Sequence, residues 1–366
     1  MEFKIKERDS LLLPITSVNV RGFSHQAALL SILMAYDECK AWVCNNFIQI
    51  FSLKNLCDSW RSGTLDFYYM DYNDFRSYEY TANPWIKWYS IPIDIIKDEN
   101  DYNIIDFITT KLNDEFYIYL RVDTYFISAY SDYKNNHRIH CLYICGYNKK
   151  DSTIMCLDNF AGGVFGLMEI PMKEIVAAYN GSYSEYIRRP KLNRQDKICP
   201  SVCIFQIVLT AEEIMNPDIN EVNLSRIICS LENYLEMGRD NLAYMKSTYY
   251  VYGIEAYNEL TKFTYRNYEK CEEMDIRAFC SMKDHKSLMI WRLQYIEDKY
   301  NICLQDIIKS YVCLEAKLNT IIMQILKFNL SRDAMILEKI RRNIEECLDK
   351  EKVVVENLIL ILKQLA

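Results

Sequence analysis

Histidine is scarce in this chain, with four in 366 residues, and no two of its fourteen cysteines stand in a C-x-x-C pair. Both scarcities argue against structural zinc, whose sites draw on closely spaced thiolates and imidazoles. No apolar run approaches the roughly 18 residues a membrane helix requires, so no spanning segment is expected. The opening MEFKIKERDS is charged and the LLLPI after it is too short for a signal core. The cysteines are therefore expected as reduced thiols of a cytoplasmic protein, and Cys141, Cys145, Cys156, Cys203, Cys229 and Cys313 as small core hydrophobes. An excess of positive charge is also missing. A net charge of −7 and a pI near 5.4 argue against nucleic acid as the main partner. Proline stops at Pro217.

What is present is a globular composition, 50% hydrophobic and 25% charged, long enough for two domains. Tyr117 to Asn159 organises the first of them. It reads as three buried strands: one running to Asp123, a polar loop over Ser131 to Arg138, a second opened by His140, and a third ending at Asp158. Two apolar strands joined by a short polar turn form an antiparallel hairpin, which brings His140 and Asp158 to the same end of adjacent strands. A carboxylate beside a histidine fixes its tautomer and stabilises the imidazolium, which makes the pair a proton-transfer device. Taken singly, His140 also reads as a satisfied core histidine and Asp158 as a turn residue.

Earlier in the chain, GFSHQAALLSILMAY reads as a buried helix with Ser24 at its N-cap and Gly22 allowing a close approach. A nucleophile at that point gains from free backbone N–H groups and the helix dipole. The plain alternative is a capping serine. His25 sits beside it and is expected to pack or line a pocket, because on a helix its side chain points away from that of Ser24. The stretch DFYYMDYNDF, with Tyr68 and Tyr69, reads as an aromatic pocket wall or as ordinary tyrosine-rich surface. In YIRRPKLNRQDK, Arg188, Arg189, Lys191, Arg194 and Lys197 form the one basic cluster, a solvated connection or a docking site for an acidic partner. From Thr210 onward strands are expected to disappear. Five helical patterns follow, around Leu224 to Leu235, Tyr249 to Phe263, Leu288 to Tyr300, Ile307 to Phe328 and Ala334 to Leu365. His285 is expected at the surface between them. The last helix is expected to pack internally, with a coiled-coil homodimer as the alternative. The fold class expected is α+β, with domains over 1–212 and 213–366.

With Ser24, His140 and Asp158 in order, the chain resembles the N-terminal domain of the butirosin-biosynthesis acyltransferase family, itself similar to papain-like peptidases that trim bacteriocin leaders. The likeness rests on GFSHQAALLSIL, YLRVDTYFISAY, HCLYICGYN, CLDNF and the later YGIEAYNELTKF. It implies a papain-like domain with a central antiparallel sheet followed by a helical domain. Where that family has cysteine this chain has Ser24, so serine serves as the nucleophile, or activity is lost, or a thiol has been replaced. The resemblance implies no cofactor. An acyl group arrives as a thioester on the phosphopantetheine arm of a carrier protein, and an acceptor amine resolves the acyl-enzyme to an amide. It assigns Ser24 as nucleophile, His140 as base then acid, and Asp158 as the orienting group. Backbone N–H groups of Ser24 and His25 become the oxyanion donors, with Asn19 a further candidate. Tyr125, His137, Tyr68 and Tyr69 become candidates for substrate contact, and Arg188, Arg189, Lys191 and Arg194 for carrier docking. The competing functions are a peptidase or hydrolase with the same triad, resolved by water, and a non-catalytic binding protein.

Overall fold

A computed structural model describes residues 8–53, 65–67, 83–93, 96, 103–188, 201–209, 221–236, 250–269 and 273–365. The chain is α+β, and its contacts divide it into two compact units that interleave in sequence. The first takes Met1–Ser17, Ser24–Tyr36 and Glu79–Met215; the second takes Val18–Phe23, Asp37–Tyr78 and Asn216–Ala366. This corrects the contiguous division at 212. The final change of unit falls near the expected position, but two early segments belong with the helical unit.

The first unit is built on a seven-stranded antiparallel sheet. Its strands are β1 (Ser10–Leu12), β4 (Ile86–Pro92), β5 (Tyr117–Asp123), β6 (Ile139–Asn148), β7 (Thr153–Asn159), β8 (Phe165–Pro171) and β9 (Ser201–Ile207). The order is β4-β9-β5-β6-β7-β8, and β1 pairs with the end of β6 that β5 leaves uncovered. The expected three central strands are thus present, with β6 and β7 antiparallel from Asn148↔Thr153 to Tyr143↔Leu157. Leu142 through Tyr147 are all buried, which explains an almost unbroken apolar run in a central strand. Gly146 is required there, because a Cβ would stand 2.4 Å from the Leu11 carbonyl oxygen on β1.

Three helices of this unit bear on the sheet: α1 (Ser24–Leu33), α3 (Ile104–Asn113) and α4 (Met172–Arg188). From Gln26 through Leu33 helix α1 is buried on every side, the polar Gln26 and Ser31 included, as befits a helix with almost no solvent face. Helix α4 is 17 residues long and ends at Arg188. Asn103 caps α3 by accepting from Ile105 N at 3.2 Å.

The second unit holds α2 (Asp37–Asn45), α5 (Leu224–Leu235), α6 (Ala256–Glu269), α7 (Arg277–Tyr300), α8 (Gln305–Ser331) and α9 (Ala334–Lys363). The last five match the five helical patterns. Strands do not disappear here, however: β10 (Tyr250–Tyr252) joins β2 (Ile50–Leu53) and β3 (Leu65–Phe67) in a small antiparallel sheet. Three aromatic and β-branched residues suffice for an edge strand, too few to break a helical pattern read over a longer window. Gly22 does allow a close approach, but to α7: an added Cβ would lie 2.9 Å from Asp284 Oδ2 and 3.0 Å from Ser281 N. Asp284 accepts from Arg21 N at 2.8 Å and Gly22 N at 2.5 Å. Buried Arg292 donates through Nε to the Cys44 carbonyl at 2.7 Å, and Asn46 Nδ2 donates to the Trp42 carbonyl at 2.7 Å, so these carbonyls in the last turn of α2 are satisfied. The α8–α9 hairpin turns on Arg332 in left-handed conformation, and Asp333 accepts from Met335 N at 2.8 Å to start α9.

Candidate active site

Beyond the Tyr143↔Leu157 pair, β6 and β7 carry His140 and Asp158 to the same end of the sheet. His140 Nε2 lies 2.7 Å from Asp158 Oδ2. The His140 side chain is 29% exposed and that of Asp158 1%, so solvent or a ligand reaches the imidazole while the carboxylate stays behind it. The same Asp158 oxygen accepts from the Tyr130 hydroxyl. Burial, reinforced by the Asp158 charge, pushes the Tyr130 phenol up, so it remains a donor at neutral pH. The Tyr130 ring meets the His140 ring edge-on with centroids 6.0 Å apart, and it packs on Phe160. With Nε2–H held by Asp158, Nδ1 is the nitrogen left to exchange a proton.

Ser24 is the first residue of α1, one place further into the helix than an N-cap, and is half-buried. Among the described residues no hydrogen bond joins its hydroxyl to His140. His25 is the α1 residue whose imidazole senses the pair. Burial chiefly, and then the His140 charge, lower its pKa to about 4, against a smaller upward pull from Asp158. His25 is therefore neutral at physiological pH and stands within electrostatic reach of both partners. Gln26, one residue on, is fully buried, and neither its amide nitrogen nor its oxygen has a partner. The backbone N–H groups of Ser24 and His25 lie in the first turn of α1, at the positive end of the helix dipole. Asn19 is an exposed bend residue of the other unit.

A second histidine–carboxylate pair was not anticipated. His137 Nδ1 lies 2.7 Å from Asp123 Oδ2, and the His137 ring stacks on Tyr125 with centroids 4.0 Å apart. Asp123 also caps the 3-10 turn Thr124–Phe126, accepting from Tyr125 N at 3.1 Å. Strand pairing sets this group apart from His140. Val122 opposes His140 and Asp123 opposes Ile139, and opposed residues share a face while neighbours alternate, so Asp123 and His140 look to opposite sides of the sheet. Gly181 on α4 confirms the side, since a Cβ there would stand 2.5 Å from the Phe126 ring and 3.1 Å from Asp123 Cβ. His137 and Tyr125, candidates for substrate contact, are thus brought together with each other and not with His140.

The remaining sequence candidates divide simply. Tyr68, Tyr69, Arg189, Lys191, Arg194 and Lys197 lie outside the described residues. Arg188 ends α4, exposed, with Nε donating to the Ser184 carbonyl at 3.3 Å. Cys39 and Cys44 are buried, and burial raises their thiols to about 12 and about 11, which rules them out as ready nucleophiles. Cys145 and Cys156 are core residues, but Cys313 is exposed, correcting its expected placement. Among the described residues no cluster of three His, Cys, Asp or Glu side chains is placed to hold a metal, and no helix is long and apolar enough to cross a membrane.

Sequence reading missed a polar cluster in the helical unit and misplaced His285. This residue is buried on α7, with Nε2–H donated to the Ile48 carbonyl at 2.7 Å and Nδ1 accepting from Lys286 Nζ at 2.9 Å. Lys286 in turn pairs with the fully buried Glu351, which also accepts from Tyr234 and Tyr257. A signal was available. Met282, His285 and Met289 keep the three-and-four spacing of a buried stripe, as do Cys347, Glu351, Val355 and Leu358. Neither a family model nor a curated protein sequence matches this chain.

Proposed function

We propose that this protein is an amide-forming acyltransferase on a papain-like scaffold, taking an acyl group from a carrier-protein thioester and delivering it to an amine. The observation that carries the reading is the buried Asp158 holding the partly exposed His140 at 2.7 Å, with His25 of α1 within electrostatic reach of both. The order of the motifs around Ser24, His140 and Asp158 supplies the reaction class by its resemblance to the butirosin-biosynthesis acyltransferases.

In this mechanism Ser24 Oγ attacks the thioester carbonyl carbon while His140 Nδ1 takes its proton. The Ser24 and His25 N–H groups stabilise the oxyanion. The tetrahedral intermediate expels the pantetheine thiolate, which receives the proton from His140, and the acyl group remains on Ser24 as an ester. The acceptor amine then attacks that ester and yields its proton to His140. Collapse returns the proton to Ser24 Oγ and releases the amide. Asp158 holds Nε2–H throughout and stabilises the imidazolium that forms twice.

Incubation with an aromatic acyl thioester and a diamine, followed by product analysis, tests the reading. Amide as the main product is expected; free acid alone would make the protein a hydrolase. A non-catalytic binding protein is the second reading, favoured by Ser24 in the place of a cysteine and by the missing hydrogen bond between Ser24 and His140. It predicts neither product.

A further inference from the structure

The α8–α9 hairpin is closely packed over most of its length, but away from its turn it opens into a cleft of about 530 Å³. The floor is apolar: Leu314, Cys347 and Val354 are each less than a tenth exposed. Val353 stands at the mouth with 55% of its surface in water. An open apolar surface of this kind on a helical hairpin costs hydrophobic free energy unless something covers it.

The polar rim says what covers it. Lys309, Lys317 and Lys350 line the cleft against Glu346 and Asp349, one positive charge in excess. Lys317 is held by Glu346 at 2.5 Å and Lys309 by Asp306 at 3.3 Å outside the cleft. Lys350 makes no ion pair within 4 Å among the described residues; its charge acts on Glu346, which Lys317 already holds, and on Cys347 below. Burial raises the Cys347 thiol to about 11, and Lys286, Lys317 and Lys350 all pull against that rise. The volume is that of a small-molecule site. The lining on α8 runs only from Lys309 to Lys317, little more than two turns, which is short for the spaced anchors of a partner helix.

We infer that this cleft binds a free carboxylate bearing an apolar tail of medium length, with the tail over Leu314, Cys347 and Val354 and the head at Lys350. The site lies wholly within the helical unit and does not depend on the acyl-transfer reading.

Isothermal titration of the full chain with decanoate, and with decanol as the uncharged comparator, tests the assignment. Saturable one-to-one binding of decanoate is expected, with decanol weaker by about fivefold, the worth of one partly exposed ion pair. Lys350→Met should bring decanoate down to the affinity of decanol. Val353→Glu, which places a carboxylate at the mouth of an exposed position, should weaken decanoate by about tenfold or more. Thermal melts of both variants establish that they fold. Absence of saturable binding would overturn the inference, as would equal binding of decanoate and decanol with no effect of either substitution. Self-association of the chain that excludes decanoate would overturn it in favour of a second copy as the occupant.

Discussion

His140 and His285 each stand beside a carboxylate, yet the first keeps 29% of its side chain in solvent and the second 2%. That difference decides what each can do. His140 leans on a buried aspartate and leaves one ring nitrogen toward the open side, the arrangement a proton carrier needs. His285 spends one nitrogen on the Ile48 carbonyl and the other on Lys286, and burial first, then the Lys286 charge, push its pKa well below the ordinary range. Both its nitrogens are committed, and it is buried away from solvent. The same residue types make a solvent-reached pair where the sheet ends and a polar core where helices close over them.

Six variants sharpen or break this contrast. The largest effect should fall on rate: His140→Asn is expected to lower acyl transfer by about 10⁴-fold, the scale seen when a triad histidine loses its function. Its unfolding free energy should stay within about 1 kcal/mol of the parent, because the side chain is partly exposed. Denaturant melts beside the activity assay check both halves.

The opposite profile is expected at the helical cluster. Glu351→Ala leaves the Lys286 ammonium buried without its carboxylate, at a cost of about 3–5 kcal/mol. Lys286→Met with Glu351→Leu removes both charges and should recover most of that loss. Should Glu351→Ala melt like the parent, the buried pair would contribute nothing, and the contrast between the two histidines would lose its structural half.

A smaller effect appears in the pH dependence of stability. His25 holds a proton in the unfolded chain up to about 6.5 but in the folded chain only up to about 4. The folded state binds fewer protons in that window, so His25 makes stability rise with pH across it. Asp284 runs the other way. Burial raises its pKa from 3.8 to about 7, so the folded state binds more protons between those values and stability falls as pH rises. His25→Phe should leave the falling slope and Asp284→Asn the rising one, read from urea midpoints between about pH 4 and about pH 7. The smallest change is expected from Gln26→Leu. A buried amide with both atoms unpaired gives up its desolvation penalty, and stability should rise by about 1 kcal/mol.

The hairpin that aligns His140 with Asp158 was legible because two short apolar runs joined by a polar turn report strand pairing directly. Three features were less so, each for a physical reason. Tyr130, which shares the Asp158 carboxylate, lies in the loop after β5, and its direction is set by tertiary packing. Asp123 and His137 come together because the loop between β5 and β6 folds back, with Arg138 Nε on Asp132 at 2.6 Å. No spacing rule encodes that return. The interleaving of the two units was invisible to composition, since 18–23 and 37–78 are recruited by long-range contacts such as those of Asp284 with Gly22 and Arg292 with Cys44.

The central claim is that position 24 is the acyl acceptor served by His140 and Asp158. Intact-protein mass spectrometry of the chain and of Ser24→Cys, each incubated with an aromatic acyl thioester, tests it most directly. An adduct of one acyl mass on both forms, lost again in each when His140→Asn is added, is the predicted result. An adduct on the cysteine form alone would show that the site accepts acyl groups only through a thiol. No adduct on either protein would contradict the account and leave a binding protein in its place.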